Sequence, residues 1–62
     1  MKLVTVTMYV FEGDRMVAAY EDKVHDTLFN VTTLHVPQML RSIRATLTNA
    51  QEITQVIIEQ EK

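Results

Sequence analysis

The sequence has no cysteine and no tryptophan, and only one glycine and one proline in 62 residues. Without cysteine there are no disulfides, no thiolate metal sites and no thiol nucleophile. His25 and His35 are then the only soft ligands. No stretch approaches the ~20 apolar residues that a membrane-crossing helix needs. Glycine-rich phosphate loops, nucleophile elbows and His-x-x-x-His pairs are also missing. So is a basic excess: six Lys and Arg stand against eight Asp and Glu, a formal charge of −2. Nucleic-acid binders normally carry the opposite balance, so nucleic acid is not the expected partner. No enzyme activity, cofactor or metal is expected from this inventory.

What is present is a hydrophobic fraction of 47%, that of a globular chain rather than a disordered one. "MKLVTVTMYV" alternates threonine with apolar residues, unlike the continuous apolar core of a signal peptide, so a cytoplasmic location is expected. The length allows one domain over residues 1–62. A domain this small buries only about 60% of the surface its unfolded chain exposes. Disulfides, metals or partner chains usually make up the shortfall, and here only a partner chain is left. A homodimer is therefore expected.

The stretch "VTVTMYVFEGDRMVAAYED", Val4 to Asp22, reads as a hairpin. Gly13-Asp14 between two alternating runs fits a two-residue II′ turn, with glycine at the position that needs positive φ. Closing there pairs Phe11 with Met16, Val10 with Val17 and Met8 with Ala19. One face then holds Val4, Val6, Met8, Val10, Val17 and Ala19. The other holds Leu3, Thr5, Thr7, Tyr9, Phe11, Met16, Ala18 and Tyr20. "YEDKVH" is the next turn candidate. "KVHDTLFNVTTL" follows, β-branched and aromatic enough to predict a third strand, or a continuation of the second around a bend.

"TTLHVPQMLRSIRATLTN" predicts a helix. Pro37 suits a first turn, Thr33 or His35 would cap it, and Asn49 would stop it. Val36, Leu40, Ile43 and Leu47 form an apolar stripe widened by Met39. The last segment is ambiguous: Asn49-x-x-Glu52 resembles a capping box and Ile53, Val56 and Ile57 have helical spacing, yet five of the six residues Ile53 to Ile58 are β-branched. A small α+β domain also needs its chain to return to the sheet, so the segment is assigned to a closing strand. The expected fold is α+β: a small antiparallel sheet in the order β-β-β-α-β, with the helix on the aliphatic face. The second face, with Tyr9, Phe11, Tyr20 and Phe29 if the third strand stays in phase, is expected to mediate dimerisation. A half-exposed face with no role and a base-stacking platform are the competing readings. Acidic neighbours argue against the platform.

Asp22, His25 and Asp26 lie close enough in sequence to suggest a shared metal, but strand alternation turns His25 away from both aspartates. Arg41 and Arg44, three apart on the open side of the helix, suit phosphate contacts or an ordinary solvated face. Glu12, Asp14, Glu21, Asp22 and Asp26 concentrate negative charge in the hairpin turn and the next connection. Such a patch suits a basic protein surface, including another protein's DNA-binding groove.

Three segments give the chain a family resemblance. "VTM" at Val6 to Met8 precedes an acidic turn, Tyr20 lies in the returning strand, and "NAQEITQVIIEQ" runs from Asn49 to Gln60. Together they resemble the short, dimeric, phage-encoded inhibitors of uracil-DNA glycosylase. The resemblance touches about half of the chain. It implies a homodimer that mimics DNA electrostatically and captures a protruding apolar residue of the enzyme in a pocket. Where that family's helix has aromatics, this one has Met39, Leu40 and Ile43, and Val24 to Leu34 reads as an added segment. The functional expectation is a non-enzymatic inhibitor of a host DNA-processing enzyme. Glu12, Asp14, Glu21 and Asp22 would be its acidic contacts, and Tyr9, Phe11, Tyr20, Phe29, Met39 and Ile43 its anchor or dimer face. The alternative is a small nucleic-acid-binding regulator using Arg41 and Arg44.

Overall fold

The computed structural model describes residues 2–62. The strands β1 (Leu3–Glu12), β2 (Arg15–His25) and β3 (Gln51–Gln60) form one antiparallel sheet in the order β2-β1-β3. Between β2 and β3 the chain is helical. A short α1 (Leu28–Asn30) leads through a π-helical stretch (Val31–His35) into α2 (Val36–Arg44). The fold is thus α+β with one packed helix, and its order is β-β-α-β.

β1 is central because it alternates most strictly. Val4, Val6, Met8 and Val10 are all buried on one face, and no charge interrupts them. Val31 and Ile43 of the helical segment complete the buried core. Val36, Met39, Leu40, Leu47, Ile53 and Ile58 pack around it, as the stripe and the closing strand predict.

The turn forms as expected. Gly13 has φ 66° and Asp14 stays at negative φ, with Glu12 opposite Arg15 and Phe11 opposite Met16. The register then slips: Val10 faces Ala18, leaving Val17 unpaired in a bulge. A second bulge lies across β1, where Val10 faces Ile53 and Tyr9 faces Gln55, so that Thr54 is skipped. One inserted residue reverses every side chain beyond it. Ala18, Tyr20 and Val24 therefore share the helix side with Val10, Met8 and Val4, while Ala19 joins Tyr9 on the open side. The predicted faces of β2 are corrected accordingly from Val17 onward.

The expected third strand is also corrected. β2 runs through "YEDKVH" without turning, and the chain becomes helical at Leu28. Thr27 is the cap, its hydroxyl accepting from the Asn30 N–H at 3.1 Å. Neither expected cap acts through its side chain, since Thr33 Oγ1 instead donates back to the Phe29 carbonyl. Pro37 does sit in the first turn of α2, but helix precedes it. In an unbroken α-helix its ring would collide with the Thr33 carbonyl. The π-helical turn, in which the Val36 N–H donates to the Val31 carbonyl, widens the backbone there. Hydroxyls of Thr32 and Thr33 take up the Leu28 and Phe29 carbonyls beside it. At the other end, Thr46 closes onto the Ile43 carbonyl through both its N–H and its hydroxyl, and α2 stops at Arg44, before Asn49.

Candidate functional site

The bulge at Val17 turns Tyr20 and Asp22 toward the helix, and there they form one wall of a cleft. His35, Gln38, Met39 and Ser42 form the other, with the buried Ile43 between them. The cleft holds about 320 Å³, the lower end of the range for ligand pockets. It unites three of the six anchor candidates, Tyr20, Met39 and Ile43, and one of the four acids, Asp22.

The remaining candidates lie elsewhere. Tyr9 and Phe11 are half-buried on the open sheet face beside Met16 and Ala19. Phe29 is 73% exposed on the helical segment, because its expected strand is a helix. The four aromatics do not share one side. Nor do the four acids form one patch. Glu12 and Asp14 sit at the hairpin end, where the Glu12 carboxylate accepts from Gln51 at 3.3 Å. Glu21 and Asp22 lie along β2 on opposite faces, with Lys23 3.9 Å from Glu21.

One polar cluster escaped the sequence reading. Asp26 accepts from the Thr27 N–H at 2.8 Å, from Asn30 Nδ2 at 2.9 Å, and meets His35 Nε2 at 3.1 Å. Asn30, His35 and the Thr27 N–H together hold the Asp26 carboxyl below its ordinary range. The signal was present as Asp26 and Thr27, four and three residues ahead of Asn30, at the start of a helix hidden by its β-branched content. His35 and Ser42 line the same cleft, but seven residues of helix separate them by about 10 Å, beyond hydrogen-bond reach of each other. Asp26, His35 and Ser42 are therefore not a relay. Among the described residues no three His, Cys, Asp or Glu side chains are grouped to hold a metal. His25 lies opposite Leu3 and Asp22 opposite Val6, on different faces.

A carboxyl with a lowered folded pKa stabilises the fold above the ordinary carboxylate range, and that contribution is lost as pH falls through the folded value. Asp26→Ala is therefore expected to lower the melting temperature at neutral pH, with a smaller difference near pH ~3. Thermal melts of both proteins at the two pH values check this. An equal difference at both would show that the charge plays no part.

Arg41 and Arg44 lie in the last turn of α2, where cations complement the helix dipole, and neither forms an ion pair among the described residues. The segments that carry the family resemblance fall in β1 (Val6 to Met8), in β2 (Tyr20), and across the final turn and β3 (Asn49 to Gln60). Compared with known proteins, the chain matches no family model, no curated protein and no solved structure.

Proposed function

We propose that the protein is a non-enzymatic, dimeric inhibitor that occupies the nucleic-acid-binding face of a host DNA-processing enzyme. The observation that carries this reading is the cleft between β2 and the helix. There Tyr20, Met39 and Ile43 offer an apolar socket with Asp22 on its wall. A protruding apolar side chain of a basic protein fits that chemistry: the socket desolvates the side chain, and the Asp22 carboxylate attracts the charge around it. The family resemblance makes uracil-DNA glycosylase the first enzyme to test.

The test is surface plasmon resonance of the protein against that enzyme at two ionic strengths, with duplex and single-stranded DNA as competitor and as separate analyte. Binding to the enzyme that DNA competes away, with no direct DNA binding, is the expected result. Direct DNA binding with a steep salt slope would favour the regulator using Arg41 and Arg44. No binding at micromolar concentration would discard this enzyme as the target.

A further inference from the structure

β1 lies between the other two strands, so β2 and β3 each present one backbone edge that is unpaired among the described residues. Natural sheets protect such edges with charge or with bulges. β2 has Arg15, Glu21, Asp22 and Lys23 along its length, and the bulge at Val17. β3 has no charge from Ile53 to Ile58, and beyond Thr54 its pairing with β1 runs unbroken. Five of those six residues are β-branched. Uncharged segments of this length and type are the ones that pair with copies of themselves.

We infer that β3 is the dimerisation edge: two copies pair their β3 strands antiparallel about a two-fold axis at Ile57, giving a continuous six-stranded sheet. This rests on the dimeric reading above and specifies where the second copy sits. A two-fold perpendicular to the sheet keeps both helices on the same side. Val56 then meets Ile58 of the second copy on the helix side, covering a side chain that is 39% exposed in the single chain. Ile57 meets its own equivalent on the open side. Gln55 lies opposite Glu59, so its amide can donate to the carboxylate, twice by symmetry. Moving the axis to Glu59 would set that carboxylate against itself, a destabilising pair.

The open sheet face is a poorer candidate. Its apolar part near the turn, Tyr9, Phe11, Met16 and Ala19, spans only β1 and β2, because the β3 residues beside it are Glu52 and Gln55. Toward the other end that face turns to Thr5, Glu21, Lys23 and Glu59. The cleft lies at β2, across the sheet from β3, so pairing at β3 leaves both copies' clefts accessible.

Light scattering at tens of micromolar should give a dimer mass for the natural chain. Ile57→Lys should weaken association by at least about tenfold, because two ammonium groups then face each other across the axis. The fold should survive, as Ile57 is only half-buried. Because the sequence has no cysteine, single-cysteine variants read out the geometry cleanly. Ile57→Cys should oxidise to a covalent dimer, since facing residues on the axis stand about 4.5–5.5 Å apart, within disulfide range. Ala19→Cys, next to the other edge, should not. A monomer mass for the natural chain, or cross-linking at position 19 and not at 57, would overturn the inference. Neither outcome depends on which enzyme is bound, so a failed target leaves this test intact.

Discussion

Met8→Ala is expected to remove about half of the protein's stability. Met8 lies midway along the central strand and is fully buried, the largest side chain here of which that is true. Truncating a buried methionine costs about 2–5 kcal/mol, in lost transfer energy and in the cavity that remains. A domain of this length has a total stability of roughly 3–9 kcal/mol. β1 is hydrogen-bonded to a strand on each side, so the sheet has little freedom to collapse into the gap. Met16→Ala is the control, since Met16 is mostly exposed and should change stability by under ~0.5 kcal/mol. Urea titrations followed by circular dichroism compare the two. A Met8→Ala midpoint equal to that of the natural chain would mean that the core is centred elsewhere.

The second large effect is on partner release. Tyr20→Ala should raise the dissociation rate from the proposed target enzyme by about tenfold or more, the loss typical of an aromatic anchor in a desolvated socket. Tyr20 is 38% exposed in the free chain, so the fold should tolerate the change. Glu21→Gln with Asp22→Asn should act on the other rate. Complementary charge speeds encounter, so this pair should slow association, and less so at high salt. Kinetic traces at two ionic strengths separate the effects. An increase in dissociation from the carboxylate pair alone, with none from Tyr20→Ala, would place the anchor outside the cleft.

Much of the fold was legible because its signals are local. Val4, Val6, Met8 and Val10 alternate without exception, Gly13 marks the turn, and the spacing of Val36, Leu40 and Ile43 is helical. β3 was legible only in part, since its β-branching favours a strand while Asn49-x-x-Glu52 and the spacing of Ile53, Val56 and Ile57 also suit a helix. What was hidden has identifiable causes. Val31, Thr32 and Thr33 have the side chains of a strand, yet Val31 is fully buried as part of a helix. Tertiary burial outweighed a propensity worth only tenths of a kcal/mol per residue. No glycine or proline marked the bulges at Val17 and Thr54. That is why strand alternation from the turn alone puts Tyr20 on the wrong face. The cleft depends on that same inserted residue, so its wall from β2 was not legible, although Met39 and Ile43 opposite it were.

The most direct measurement is uracil excision from duplex DNA by uracil-DNA glycosylase, titrated with this protein in its natural and Tyr20→Ala forms. The proposed mechanism predicts inhibition that added DNA relieves, and that the Tyr20→Ala form produces only at concentrations about tenfold or more higher. Full excision in the presence of a large molar excess of the natural chain would contradict it for this enzyme. Inhibition left unchanged by Tyr20→Ala would contradict the role given to the cleft.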